Sequence, residues 1–189
     1  MRAASGNRIT MTFKIVPERR RDAALIEPLL DRAFGFDRRR KTVYRLRAGV
    51  APVDKLRFVA LAGDGGLLGS LRFWPVRIGQ ARALLLGPLA VEPALQGAGI
   101  GRALVGHGLA RAKREGEGLC VIVGEPAYYA LFGFRNASAA GLILPGPVEP
   151  ERFQVLEILP DALAGVTGLI GRAEEDGAPG RSLRSGSAA

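Results

Sequence analysis

Cysteine and histidine are almost absent from this chain of 189 residues, which contains one of each, Cys120 and His107. A lone cysteine cannot form an internal disulfide, and its scarcity agrees with a reducing cytoplasm. Structural zinc sites need several cysteine or histidine ligands, so we expect no metal. Cys120 lies in the apolar run Leu119–Val123, which favours a buried structural thiol over a nucleophile.

Long apolar runs are also missing. No run is long enough to span a membrane, and the residues through Asn7 are small and polar, unlike the apolar segment of a signal peptide. Apolar residues make up 48% of the chain, which is ample for a core. We therefore expect a cytoplasmic protein without a membrane partner. It would have one domain over residues 11–171, a flexible amino terminus over 1–10 and a flexible tail over 172–189.

Lysine is scarce among the basic residues: only four of the 27 are lysine, and the formal net charge is +9. The densest basic cluster is Arg38–Lys41, followed by Arg45 and Arg47, and no ladder of aromatic residues accompanies it. Three interpretations stay open. The cluster is a solvated helix face, it attracts an anionic cofactor or acidic substrate, or, last in order, it binds nucleic acid.

Glycine, by contrast, is abundant, and three glycines lie close together after an apolar run. That run, Ala83–Val91, is bounded by turn-forming residues and predicts a core strand. Gly87 and Pro88 lie inside it, and because proline cannot donate to a neighbouring strand we predict a bulge there. The segment Gln96–Gly101, hereafter the glycine turn, then opens a helix expected over about 102–115.

The glycine turn is suited to binding an anion. Glycines let backbone N–H groups approach a ligand closely, and the first amides of a helix lack internal partners and lie at the positive end of its dipole. No lysine follows the glycines, as a Walker loop requires, and the spacing G-A-G-I-G is not a dinucleotide fingerprint. A turn that merely joins strand to helix is the alternative.

Two blocks of this sequence resemble a known enzyme family. The first is the pattern [QR]-x-x-G-x-[GA] of the glycine turn behind the strand end Leu-Ala-Val, and the second is the segment YYALFGF within Gly124–Phe134. Together and in this order they are similar to the GCN5-related N-acetyltransferases (GNAT), in the bacterial subgroup of predicted N-acetyltransferases with a YYxxFGF segment. The resemblance covers about residues 11–160.

The resemblance implies an α/β fold with a mixed sheet, in which an antiparallel meander precedes a parallel βαβ crossover. The pattern of the other residues agrees with this fold. If Pro88 bulges its strand, the two parallel strands splay at their carboxyl ends and open a slot. The predicted strands cover 11–16, 56–62, 67–76, 84–91, 119–123 and 152–159, the other predicted helices cover 23–34 and 42–48, and 161–171 is either helix or strand.

The resemblance also implies an acetyl-CoA co-substrate, with its diphosphate on the glycine turn and its pantetheine arm paired to the bulged strand. Family members differ mostly in the helical region after the first strand, which lines the acceptor pocket. The implied cofactor-binding residues are Leu89, Ala90, Val91, Gln96, Gly97, Ala98, Gly99, Ile100, Gly101 and Arg102.

Acetyl transfer to an amine needs an acid for the departing thiolate and a base for the amine proton. Tyr129 matches the family's tyrosine, whose phenol can protonate the sulfur, with packing as the alternative. Glu125 and Glu92 follow the two parallel strands and are candidate bases, and either is otherwise a loop charge; Glu125 is our choice. Tyr128 is expected to pack in the core or against the acceptor, and His107 is interpreted as structural.

The predicted function is therefore transfer of an acetyl group from acetyl-CoA to a primary amine of a small molecule or protein, by direct attack. Two alternatives stay open: an acyl-CoA-binding regulatory module without catalysis, and an acyltransferase acting on aminoacyl-tRNA. A homodimer is one assembly compatible with the sequence. Nucleic acid ranks last among the partners because no ladder of aromatic residues accompanies the basic cluster.

Overall fold

The computed structural model describes residues 12–40 and 42–173. The expectations for residues 1–10 and for 174–189 lie outside this part of the chain. Four helices and nine strands form its regular structure. The helices are α1 (Ala23–Phe34), α2 (Thr42–Arg47), α3 (Ile100–Arg114) and α4 (Pro126–Tyr129). The strands are β1 (Phe13–Pro17), β2 (Arg57–Ala62), β3 (Leu67–Ile78), β4 (Ala81–Val91), β5 (Leu119–Val123), β6 (Arg135–Asn136), β7 (Leu142–Ile143), β8 (Phe153–Glu157) and β9 (Gly168–Arg172).

The sheet has the predicted mixed topology. Its main path runs β1-β2-β3-β4-β5-β8-β6, and β1 to β4 form an antiparallel meander. Strand β5 then pairs with β4 in parallel, with α3 as the crossover between them. The expected α/β fold, a meander followed by a parallel βαβ crossover, is confirmed.

The long strand β3 pairs with two different strands along one edge. Its first half pairs with β2, and its second half pairs antiparallel with β9, with Val76 opposite Arg172. The residues 161–171, left open as helix or strand, thus end in a strand. This strand continues through Arg172, so the boundary expected at 172 falls inside it. The short strand β7 pairs in parallel with β9.

A bulge interrupts the β3–β4 pairing where proline predicts one. Leu71 lies opposite Leu89 and Phe73 lies opposite Leu86, so Gly87 and Pro88 together face one residue of β3. The Gly87–Pro88 peptide is cis, and Gly87 has a φ of 109°, a conformation that side chains disfavour. The predicted bulge is confirmed, and it shifts the course of β4 at the centre of the sheet.

Helices cover both faces of the sheet because strand side chains alternate between faces. On one face α1 buries Ile26, Leu29 and Leu30 against Val59 and Ala90. On the other, α3 buries its apolar stripe against Leu71 and the fully buried Phe73. A Cβ at Gly108 of α3 would lie 2.6 Å from the Phe73 ring, so glycine allows the helix to pack closely.

Cys120 and His107 both lie in surroundings that suit the structural roles expected of them. Cys120 is fully buried in β5, and burial raises the pKa of its thiol, which suits a structural residue. His107 lies on the outer side of α3, edge-to-face with the Phe58 ring.

Within residues 12–40 and 42–173, no cluster of three or more potential metal ligands occurs. No helix there has the length and apolarity to cross a bilayer.

Candidate active site

The glycine turn presents backbone amides to solvent at the start of α3. Gln96 through Gly99 are exposed, and Gly97 and Gly99 both have a φ of 87°, which explains why glycine occupies these positions. The first helical bond runs from the Ala103 N–H to the Gly99 carbonyl at 3.0 Å. Helix α3 begins at Ile100 rather than at the expected 102, because Gly99 already acts as its left-handed N-cap.

Three amides therefore precede the first internal bond of α3, those of Ile100, Gly101 and Arg102. The helix has 15 residues, so its dipole places partial positive charge on these groups. The exposed Arg102 adds a full positive charge beside them. This arrangement fits a diphosphate, and the open space around Gly97 and Gly99 leaves room for one.

The parallel strands β4 and β5 separate beyond the start of their pairing. Their register consists of Leu84 with Cys120 and Leu85 with Val121, and it ends there, just before the bulge. Residues Leu89 to Val91 still pair with β3 through one backbone edge. Their other edge faces the gap that β5 leaves, so the backbone groups on that edge are available to an extended ligand. The splayed strands predicted from Pro88 are confirmed.

A cavity of about 900 Å³ joins this gap to the region of α2. Gln96 of the glycine turn lies at one end, and Gly87 to Leu89 and Ile122 to Glu125 line the middle. The opposite wall consists of side chains from α2 and from the loop over 144–152, hereafter the α2 wall. One continuous space thus connects Gln96 of the glycine turn, the strand gap and a wall of side chains.

Tyr129 lies at the centre of the cavity lining, on the short helix α4. Its ring covers Gly124, where a Cβ would overlap the ring atoms. Only 7% of the residue is exposed, and burial raises the pKa of its phenol, with the nearby Tyr128 and Cys120 adding to the effect. The phenol is therefore neutral and keeps its proton at physiological pH, as a proton donor must.

Tyr128 occupies a different place from its neighbour. Its ring meets the Tyr129 ring edge-to-face at 5.0 Å, and it lines the cavity as expected. Its hydroxyl, however, lies beside the start of α3, 2.9 Å from where a Cβ on Gly101 would be. The tyrosine thus contacts the glycine turn, a contact that the sequence did not reveal because α3 and α4 are joined only through tertiary packing.

The two candidate carboxylates differ in their surroundings. Glu92 accepts two hydrogen bonds from the Arg32 guanidinium of α1, at 2.9 and 3.2 Å, so it has a structural partner. Glu125 lines the cavity at the carboxyl end of β5, and its nearest cation is Arg152 at 3.7 Å. Its side chain is 65% exposed. Of the two, Glu125 is the one that faces the cavity.

The basic cluster is not the uniform solvated face that was one interpretation of the sequence. Arg38 is buried, with 2% of the residue exposed, and it donates to Glu27 at 2.6 Å and to Asp31 at 2.9 Å. Arg40 is exposed, as a solvated face requires. Sequence spacing hid the partners of Arg38, because α1 folds back against the turn Phe36–Arg40.

Comparisons with known proteins agree with this geometry. The family described as "Acetyltransferase (GNAT) domain" matches residues 54–136. The "Uncharacterized N-acetyltransferase YhbS" of Escherichia coli strain K12 is 36% identical over 151 residues, covering 79% of this chain and 89% of that protein.

Two solved structures are similar to the whole domain. A crystal structure of YhbS from Escherichia coli, in complex with CoA, has a TM-score of 0.75 at 34% identity and covers 86% of this chain and 90% of its own. A GNAT family acetyltransferase from Brucella melitensis, in complex with acetyl-CoA, has a TM-score of 0.64 at 33% identity and covers 85% and 96%. The resemblance seen in the glycine turn and the YYxxFGF segment is confirmed: this chain belongs to the GNAT family of acyl-CoA-dependent acetyltransferases.

Proposed function

We propose that this protein transfers an acetyl group from acetyl-CoA to a primary amine by direct attack of the amine on the thioester. One observation carries the proposal. Gln96, the first residue of the glycine turn, the gap beside the β4 bulge and the buried Tyr129 all border a single cavity. The cytoplasmic location and a homodimer stay predictions.

The donor would lie along the groups that the fold leaves unpaired. The amides of Gly97 and of Gly99 to Arg102 suit its diphosphate, since they offer hydrogen-bond donors and positive charge. The free backbone edge of Leu89, Ala90 and Val91 suits the amide groups of a pantetheine arm, which pairs like an additional strand. The CoA and acetyl-CoA found in the two similar structures support acetyl-CoA as the donor.

The reacting groups would meet in the middle of the cavity. A backbone N–H at the bulge can stabilise the oxyanion that forms when the amine attacks the thioester carbonyl. The carbon–nitrogen bond forms, the carbon–sulfur bond breaks, and the Tyr129 phenol gives its proton to the departing thiolate. Holding both substrates in line supplies up to about 7–11 kcal/mol of the barrier reduction.

The proton of the attacking amine needs an acceptor, because a lysine-like amine has a pKa near 10 and is mostly protonated at neutral pH. Glu125 lines the cavity and is open to water, so we assign it the base role through a water molecule. Glu92 is not assigned this role because the Arg32 guanidinium already holds it.

The test combines donor binding with turnover. Acetyl-CoA at about 100 times its dissociation constant should stabilise the protein by about 2.7 kcal/mol, whereas adenine without a diphosphate should not. CoA release should depend on an added amine and should fall about 100-fold in Tyr129→Phe. Tyr128→Phe is the matched control, with an altered KM for acetyl-CoA at most. A Tyr129→Phe enzyme of normal kcat would remove the phenol from the mechanism.

A further inference from the structure

The last residue of α2, Arg47, is a buried cation for which the described residues provide no counter-charge. Only 8% of Arg47 is exposed, and its Nε is buried without a hydrogen-bond partner. No hydrogen bond or ion pair to its guanidinium occurs within residues 12–40 and 42–173. The side chain lines the cavity, so the guanidinium is hidden from bulk solvent and open to a bound molecule.

Two other enclosed arginines in the described part of the chain have carboxylate partners. Arg38 has Glu27 and Asp31, and Arg72 donates twice to Glu18 at 2.7 and 2.8 Å. Arg47 instead contacts aromatic faces, those of Tyr44 at 5.0 Å and Trp74 at 5.9 Å from guanidinium carbon to ring centre. These rings hold the planar group in place without neutralising it.

Burial lowers the pKa of Arg47 to about 10, which still leaves it charged at neutral pH. An enclosed charge without a partner costs several kcal/mol of stability. The fold carries that cost at a position facing a substrate cavity, and an anion bound there would offset it. A guanidinium fork matches carboxylate or phosphate oxygens in a bidentate way.

Arg47 approaches β4 at a different point from the glycine turn. An anion bound by Arg47 would therefore be distinct from the diphosphate of the donor. The Arg47 Nη2 lies 3.3 Å from where a Cβ on Gly87 would be, so it reaches the start of the bulge. The glycine turn meets β4 farther on, where Gly101 lies close to Leu89 and Val91. There the donor's diphosphate would meet the first amides of α3 and the Arg102 side chain. Arg47 belongs instead to the α2 wall.

We propose that Arg47 binds an acidic group carried by the acceptor, so that the preferred acceptors are small amines with a carboxylate or phosphate-type oxyanion a few atoms from the nitrogen. Amino acids and aminoalkyl phosphonates have this chemistry. This inference rests on the proposed acetyl transfer. Arg47 reaches the bulge where the thioester carbonyl would lie, so a short spacer between nitrogen and oxyanion suits the geometry.

The first experiment compares acceptors that differ only in the acidic group: an amino acid, its primary amide, its decarboxylated amine and its phosphonate analogue. The wild type should prefer the amino acid or the phosphonate over the amide and the amine by about 100-fold in kcat/KM. The ratio of kcat/KM for the amino acid to that for its phosphonate analogue then identifies which oxyanion the site prefers. In Arg47→Met the preference should shrink to within a few-fold, with the KM for acetyl-CoA unchanged. Equal use of all four acceptors by the wild type would overturn the proposal.

The second experiment measures stability, where binding and structural roles of Arg47 predict opposite signs. Arg47→Met should melt at or above the wild-type temperature, because a buried, unpaired charge is removed. Arg47→Lys should keep part of the preference for acidic acceptors, since it retains the charge and loses the fork. Arg45→Met, an exposed arginine on the same helix, should change neither stability nor preference. Destabilisation by Arg47→Met with an unaltered preference would make Arg47 structural.

A binding measurement separates this inference from the proposed activity. The N-acetylated amino acid, a product analogue, should raise the melting temperature of the wild type more than its amide does, and this difference should vanish in Arg47→Met. If the acid and the amide raise the melting temperature of the wild type equally, the anion site is refuted, whatever the rate of acetyl transfer. A clear difference together with no acetyl transfer to any amine would refute the proposed function and leave the anion site standing.

Discussion

The two ends of the cavity are built in different ways. The glycine turn uses backbone amides from one short stretch of chain, ordered by the helix that follows. The α2 wall uses side chains from segments about 100 residues apart, as in the hydrogen bond from the Thr42 hydroxyl to the Pro147 carbonyl. A site made of backbone has a local sequence signature, whereas a site made of distant side chains has none. The end that we propose for the donor can therefore be predicted from sequence, and the end that we propose for the acceptor cannot.

The comparison predicts that damage at the centre of the cavity affects both substrates. In Gly124→Ala the new Cβ overlaps the Tyr129 ring, so the phenol must leave its position. We expect kcat to fall about 1000-fold from lost alignment and lost proton donation, with about 1–3 kcal/mol of destabilisation from overpacking. The control is Gly106→Ala in α3, where a Cβ meets nothing within 4 Å. A crystal structure of Gly124→Ala with Tyr129 unmoved and normal turnover would contradict the assignment.

The next largest expected effect on kcat distinguishes the two carboxylates, Glu125 and Glu92. Glu125→Gln should lower kcat about 100-fold, as expected of a general base. Glu92→Gln should leave kcat unchanged, because Glu92 is held by Arg32 and lies outside the cavity lining. If the two variants behave alike, Glu125 is only a loop charge and the base is elsewhere.

A smaller effect isolates the donor end. Gly99→Ala places a side chain on a residue with a φ of 87°, which costs about 1–2 kcal/mol, and moves the amides at the start of α3. We expect about a tenfold rise in the KM for acetyl-CoA and no change in the KM for the acceptor. Gly116→Ala, with a φ of 81° at the other end of α3, is the matched control for strain. It should lose the same stability with normal kinetics.

The smallest effect lies away from both ends, at His107. Partial burial and the nearby Arg114 and Arg111 lower the pKa of its imidazole. The folded state therefore takes up the proton less readily than the unfolded state, so this histidine destabilises the protein as the pH falls below about 6.5. Denaturant unfolding at pH 7 and pH 5 should show a smaller loss of stability in His107→Gln than in the wild type. An equal loss would place His107 in an ordinary solvated environment.

Local patterns explain why much of the fold was predictable. The apolar run at Ala83–Val91 with an internal proline predicts a bulged core strand, and the structure has one. Apolar spacing likewise predicts α1 with the bounds that are observed, and β5 also. The helix start at Ile100 was missed by two residues because a glycine in the left-handed region serves as the cap.

Residues whose environment depends on distant partners were not predictable. Arg38 and Arg47 belong to one run of basic residues, yet the first is buried between two carboxylates and the second lies between aromatic rings. Nothing in the spacing of the run distinguishes them, because Glu27 and Asp31 of α1 and Trp74 of β3 lie far away in the sequence or on another element. The assignment of Tyr129 and Glu125 as the acid and base stays a prediction, although both line the cavity.

The branching of the sheet at β3 has a consequence for altering this protein. The loop over 144–152 leaves β7, which pairs with β9, and enters β8, which pairs with β5. Both ends are thus anchored in hydrogen-bonded strands. New side chains at an exposed position of this loop, such as Glu149, would alter the cavity wall while the buried Leu144, the meander and the crossover keep their form.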